Sequence, residues 1–152
     1  MSIKIIIADD HQLFREGLVN LLSEAKEIEI LAQVENGKDA VSKAIELFPD
    51  IVIMDISMPV MDGIEATRQI RKKNNQIKII ALSMHADKQF IKGMFELGVS
   101  GYLFKNCSYH ELVEAIKVVY SDRVYLSDRI TEFLIKDYLS KEEYIPVVEN
   151  IS

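Results

Sequence analysis

Four short apolar runs in this sequence each lead into residues that can do chemistry. IKIIIA (3–8) runs into Asp9 and Asp10, DIVIM (50–54) into Asp55, IKIIAL (77–82) into Ser83, and GYLF (101–104) into Lys105. Three carboxylates brought close together cannot all stay ionised without a cation to offset their repulsion. Oxygen ligands of this kind suit Mg2+ (or Mn2+), which prefers one or two carboxylates together with waters and a substrate phosphate. Lys105 offers compact positive charge to a phosphoryl oxygen and Ser83 a hydroxyl donor to another. A carboxylate such as Asp55 can itself be the nucleophile and become an aspartyl phosphate. The cation and Lys105 would then stabilise charge on the equatorial oxygens during in-line transfer. Each residue also has a plainer reading. Asp9 or Asp10 can cap a following helix, Asp55 can be a turn residue, Lys105 can be a solvated charge, and Ser83 alone says little. It is the joint placement at strand ends that favours phosphoryl transfer.

The elements that must position these residues follow from periodicity. With IEILAQV (28–34), five Ile- and Val-rich runs read as strands buried on both faces of a parallel sheet. Between them lie segments of helical spacing. Leu13, Phe14, Leu18, Leu21 and Leu22 trace one helical face, as do Ala40, Val41, Ala44, Ile45 and Phe48. IEATRQIRKK, DKQFIKGMFEL and YHELVEAIKVVY repeat the pattern. Strand and helix thus alternate five times, which implies right-handed crossovers. The expected fold is α/β: a flavodoxin-like doubly wound five-stranded parallel sheet, order 2-1-3-4-5, with helices on both faces. Ligands of such sheets sit outside the carboxyl ends of the strands where the order reverses, here between the first and third. After Tyr120 the pattern changes. Ile130, Phe133, Leu134 and Tyr138 predict an extra C-terminal amphipathic helix near 128–139, and SKEEYIPVVENIS reads as a linker. Residues 1–122 therefore form one domain, and 123–152 an extra helix and linker.

Composition narrows the function classes. The chain has 152 residues, 18 Lys plus Arg and 24 Asp plus Glu, so 18 − 24 gives −6. Residues 126–152 hold three bases and six acids, or −3, so no basic arm is present for phosphate backbones. No apolar run approaches the roughly 20 residues that span a bilayer. The opening MSIKIIIADD is no signal peptide. Cys107 stands alone and cannot form an internal disulfide, so a reducing, cytoplasmic setting is expected. His11, His85 and His110 lack metal-ligand spacing, and His11 reads as a surface residue at a helix start that can flank the acidic pocket.

The words ADDH near the start, MDISMPVMDG around Asp55, ALSMH and GYLFKN together resemble a response-regulator receiver domain. FREGL, SMPVMDGIEATRQI and GVSGYLFK resemble in particular the NarL/FixJ subfamily, whose members usually carry a LuxR-type helix-turn-helix. The resemblance covers roughly residues 3–120. It implies that Asp55 accepts a phosphoryl group from a sensor histidine kinase. It implies that Asp10, Asp55 and the Ser57 carbonyl bind Mg2+ directly, with Asp9 acting mainly through water. Lys105 would pair with the phosphoryl group, and Ser83 would shift to bond it while Tyr102 changes rotamer in concert. Ser57 and His85 stand at positions that tune phosphoryl lifetime. The output surface would be roughly 86–120, and phosphorylation would promote a homodimer. Two departures stand out. Asn106 replaces the Pro that often follows the lysine with a cis peptide, which a non-proline residue adopts only at a cost of ~3 kcal/mol. No helix-turn-helix follows within the chain, so DNA would be reached only through a domain outside it, and the chain is expected to be a piece of a longer regulator.

Competing functions have weaker support. A phosphatase of the haloacid-dehalogenase type needs a second acid two residues after its nucleophile, where this sequence has Ser57. A flavin or nucleotide binder needs a phosphate-cradling loop where Asp9 and Asp10 stand. A receiver that keeps the fold without being phosphorylated would not need all five pocket residues.

Overall fold

The Ile- and Val-rich runs pair with one another as parallel strands because each is apolar toward both sides and only a two-faced interior can bury it. The structure, a computed structural model, describes residues 2–84 and 87–142. Five strands, β1 (Ile3–Ala8), β2 (Ile28–Val34), β3 (Ile51–Asp55), β4 (Lys78–Ser83) and β5 (Gly101–Phe104), alternate with five helices. These are α1 (Gln12–Leu22), α2 (Gly37–Leu47), α3 (Gly63–Lys73), α4 (Lys88–Glu96) and α5 (Tyr109–Tyr120). Beyond them lie β6 (Tyr125–Leu126) and α6 (Asp128–Glu142). The strands are parallel throughout, in the order β2-β1-β3-β4-β5-β6.

The flavodoxin-like order 2-1-3-4-5 is therefore present, and the sheet has a sixth, edge strand that extends it past residue 122. Two residues are too few to show a period, so β6 left no pattern in the sequence. Backbone pairing makes it: Tyr125 N–H donates to the Ser100 carbonyl at 2.9 Å and Ser127 N–H to the Tyr102 carbonyl at 3.1 Å. The helices start where short polar side chains can accept their orphan amides. Asn36, Asp62, Asp87 and Ser108 each do so.

Strand alternation divides the interior into two layers. Ile5, Ile7, Ile51, Ile53, Ile80, Leu82 and Leu103 pack under α1 and α5, with Leu18, Leu22, Leu112 and Ile116. Ile6, Ala8, Val52, Met54, Ile79, Ala81, Tyr102 and Phe104 face the other way, against Ala40, Ala44, Ala66, Ile70, Ile91 and Met94 of α2, α3 and α4.

The extra helix forms where expected and runs on to Glu142, taking in residues first read as linker. The remaining linker residues, 143–152, lie outside the described residues. The helix does not pack against α5. Ile130 is fully buried in the layer of α2, α3 and α4, with Phe133 and Leu134 against it. The reason is geometric: β6 sits beside β5, and the chain leaves it next to Phe104, on the sheet face opposite α5. The Arg129 guanidinium lies 4.6 Å over the Phe104 ring, Lys88 lies 5.9 Å over Phe133, and Lys92 Nζ is 3.8 Å from Asp137 Oδ2.

Candidate functional site

The strand ends bring Asp9, Asp10, Asp55, Ser83 and Lys105 to one mouth, and the two-residue period decides which way each one points. Residue 9 continues the parity of Ile5 and Ile7, residue 55 that of Ile51 and Ile53, and residue 105 that of Leu103. All three therefore lean to the α1 and α5 side and meet. Lys105 Nζ is 2.8 Å from Asp9 Oδ2 and 3.3 Å from Asp55 Oδ2. Ser83 has the parity of Ile79 and Ala81, so it points to the opposite side, toward Tyr102. Adjacent backbone supports both: Lys105 N–H donates to the Ser83 carbonyl at 2.8 Å, and Asp9 N–H to the Val34 carbonyl at 3.0 Å.

Burial makes these charges consequential. Asp9 is 2% exposed, Asp55 3%, Ser83 4% and Lys105 9%. Burial, then the Asp9 charge, push the Asp55 carboxyl up to about 7; Lys105 pulls it down, and Asp10 beside it adds to the rise. Burial likewise raises the Tyr102 hydroxyl to about 12, against a pull from the Ser83 hydroxyl. Tyr102 is fully buried. Its placement between Ser83 and the start of α6 was visible in the sequence only as proximity to Lys105.

The capping reading of the acid pair does not hold for α1. His11 occupies the N-cap with no side-chain cap bond, and Asp9 Oδ1 instead accepts the His11 backbone N–H at 2.8 Å. Arg15, which sequence reasoning passed over, donates from Nη1 to the Asp9 carbonyl at 2.6 Å and holds that turn in place. His11 is a surface residue at a helix start, and it also faces the acids. Its Nδ1 is 3.1 Å from Asp9 Oδ1, 3.4 Å from Asp10 Oδ1 and 3.0 Å from Lys105 Nζ. Phe14 lines the Lys105 stem, its ring centroid 5.0 Å from Nζ. Ser57, Ser83, His11, Asp55, Met84 and Phe90 line an open pocket of about 260 Å³. His85 lies outside the described residues. Cys107 is half-buried among the apolar side chains under α1 and α5, and its thiol is raised chiefly by that burial, as a structural cysteine should be.

A divalent cation fits this donor set. Asp9, Asp10, His11 and Asp55 each offer one ligand atom, all within 4.8 Å of one another. Asp9 Oδ2 and Asp55 Oδ2 are buried and share one ammonium, that of Lys105. Two buried carboxylates ionised against a single ammonium leave negative charge that a second cation would offset.

The loop after Asp55 is clamped by two glycines. Gly63 N–H donates to the Ile56 carbonyl at 2.7 Å and Gly37 N–H to the Met61 carbonyl at 2.9 Å. Between them Met61 N–H closes onto the Pro59 carbonyl at 2.7 Å, a γ-turn that forces Val60 to φ 70°. A Cβ on Gly63 would overlap the Asp55 carbonyl oxygen, and one on Gly37 the Met61 carbonyl oxygen. Both are backbone atoms that cannot swing aside. Gly63→Ala is therefore expected to cost about 1–3 kcal/mol, lowering Tm by roughly 2–12 °C. Thermal unfolding by circular dichroism checks it; an unchanged Tm would mean that α3 shifts freely. The Lys105–Asn106 peptide is trans, with no cis bond among the described residues.

Comparison with known proteins adds an independent line. A family model described as the response regulator receiver domain matches residues 5–117. The chain is 40% identical over 137 residues to the transcriptional regulatory protein DegU of Brevibacillus brevis, covering 90% of this chain and 58% of that protein. It is 32% identical to the response regulator GacA of Pseudomonas syringae, over 97% of this chain and 67% of that one. Among solved structures, a LuxR-family two-component response regulator from Aurantimonas sp. superposes with a TM-score of 0.85. It shares 32% identity, over 91% of this chain and 99% of that one. A LuxR-family DNA-binding response regulator from Staphylococcus aureus gives a TM-score of 0.74 at 37% identity, over 77% of this chain and 98% of that one. The chain spans 58–67% of the length of these two curated relatives. No helix among the described residues is long and apolar enough to cross a membrane.

Proposed function

Because the chain belongs to the response regulator receiver family of two-component systems, with LuxR/NarL-type relatives, we propose that Asp55 is the phosphoacceptor of a signalling switch, charged by a sensor histidine kinase. The observation that carries this reading is the buried meeting of Asp9, Asp55 and Lys105 beside an open pocket.

Asp55 Oδ attacks phosphorus, forming an O–P bond as the P–N bond to the donor phosphohistidine breaks, and the electron pair leaves on the imidazole nitrogen. Mg2+, when bound, supplies positive charge that keeps the carboxylates ionised and neutralises the transferring phosphoryl oxygens. Asp9, Asp10, Asp55 and the Ser57 carbonyl are the proposed holders of that ion. Lys105, freed from part of its pairing, meets a phosphoryl oxygen. Ser83 takes another, and Tyr102 responds because it lies buried against Ser83. The imidazole leaves as the neutral ring, its other nitrogen keeping the proton it carries, so this chain supplies no general acid. Ser57 and His85 are proposed to tune how long it stays. The reaction is self-phosphorylation and slow loss rather than turnover of a free substrate.

The relatives named above are transcriptional and response regulators, and on that likeness we propose control of transcription; a homodimer on phosphorylation and DNA contact through a domain outside this chain are parts of the same proposal. Of the residues proposed for output, 86–120, α4 shares a layer with α6 and α5 lies in the other, so a partner on α4 meets α6 too. The chemistry is tested by incubating the chain with acetyl phosphate and Mg2+ and recording intact mass. A gain of one phosphoryl group is expected, absent in Asp55→Asn and absent in EDTA. No gain in folded protein with a working control receiver would refute acceptance from small donors, and purified kinase would then decide.

A further inference from the structure

The acid cluster contains a ligand atom that is not an oxygen. His11 Nδ1 lies 3.1 Å from Asp9 Oδ1, 3.4 Å from Asp10 Oδ1 and 3.9 Å from Asp55 Oδ2. An octahedral ion with bonds of about 2.1 Å holds neighbouring donors about 3.0 Å apart and opposite ones about 4.2 Å. All three separations fall within that span, so the imidazole nitrogen is placed as a donor to an ion held by any of these carboxylates.

A cation already stands beside this point. The Lys105 ammonium is 2.8 Å from Asp9 Oδ2, 3.0 Å from His11 Nδ1 and 3.3 Å from Asp55 Oδ2. The imidazole nitrogen thus faces an ammonium, which needs its lone pair, and a carboxylate, which needs its N–H. It cannot serve both. A divalent ion lying between them uses the lone pair and the carboxylate oxygens together and removes the conflict. The ring is also held locally: the His11 N–H is bonded to Asp9 Oδ1, so the backbone that carries the imidazole is tied to the cluster it faces.

We infer that His11 is a ligand that sets metal choice at this site, favouring later first-row transition ions such as Co2+ over Mg2+. Imidazole suits borderline ions, and their affinity for nitrogen rises along the first row, whereas Mg2+ prefers oxygen and water. The inference rests on reading the cluster as a divalent-cation site and adds the residue that decides which ion it selects.

Calorimetric titration of the chain with Mg2+ and with Co2+, for the parent and His11→Gln, tests it. Gln keeps polarity at the rim but offers oxygen in place of imidazole nitrogen. The expected result is a Co2+-to-Mg2+ affinity ratio that falls by at least the roughly tenfold that losing even an outer-shell partner brings. The visible absorption of bound Co2+ should also change as a nitrogen donor is lost. Asp10→Asn should weaken both ions, which assigns the binding to this cluster. An unchanged ratio and spectrum in His11→Gln, with both ions still bound, would overturn the inference and leave the cation site standing. Failure of either ion to bind the parent would overturn the inference and the cation site together.

Discussion

Replacing Lys105 with Met should destabilise the metal-free protein by about 3–5 kcal/mol at neutral pH, the usual cost of stripping one partner from a buried ion pair. Met keeps an apolar stem beside Phe14 and removes only the ammonium. Asp9 and Asp55, 2% and 3% exposed, would then face each other without an opposing charge. Lys105 already lowers the Asp55 carboxyl, so its loss drives that carboxyl further up. The variant's folded state then holds a proton that its unfolded state releases, and its stability falls as pH rises through the carboxylate range and beyond. Urea unfolding in EDTA should show the deficit shrinking at pH 5 and largest near pH 8. Added Mg2+ should restore part of it, since ion binding to the folded state stabilises by mass action. An equal deficit at both pH values would place the effect in packing rather than charge.

The Asp55→Asn substitution should do the opposite. In the metal-free parent, Asp55 titrates at about 7 against an ordinary 3.8, because burial and the Asp9 charge outweigh Lys105. Over the window between those values the folded state binds a proton that the unfolded state has lost, so parent stability falls as pH rises and levels off above about 7. The amide introduced by the substitution carries no charge to desolvate and leaves Asp9 paired with Lys105. Asp55→Asn is expected to gain a few kcal/mol at pH 8, little at pH 4, and to flatten the profile between them. Denaturant midpoints from pH 4 to 8 in EDTA check this. A profile in the variant that still falls in parallel with the parent would assign the slope to other groups. The same variant is expected to take no phosphoryl group, so a residue that costs the resting fold stability is the one the proposed chemistry requires.

Strand ends were legible because an apolar run stops abruptly at a charged residue, as at Ala8–Asp9 and Phe104–Lys105. The alternation of strand and helix was legible from periodicity, and the sheet order followed from it through the general rules of doubly wound sheets. What escaped the sequence depends on contacts across the fold. β6 is two residues held by backbone pairing to Ser100 and Tyr102. The side of the sheet that α6 chooses depends on where β6 docks. The need for Gly63 and Gly37 shows only where the Asp55 and Met61 carbonyls stand against them. His11 lies two residues from Asp9 in sequence, yet its approach to Lys105 needed the sheet to bring the end of the fifth strand to the same mouth as the ends of the first and third. Periodicity reports what a residue's own element does and is silent about its neighbours.

The two-residue period has one more consequence. Asp9, Asp55 and Lys105 lean to one side of the sheet, while Ser83, Tyr102, Phe104 and Ile130 belong to the other. On the proposed function, capture of the charge and the Ser83–Tyr102 part of its readout thus lie in separate compartments a strand's thickness apart. Selection can redraw the side of α4 and α6 to suit new listeners while the chemistry opposite stays fixed, and substitutions drawn from the two sides should combine additively in stability, with coupling concentrated at Ser83.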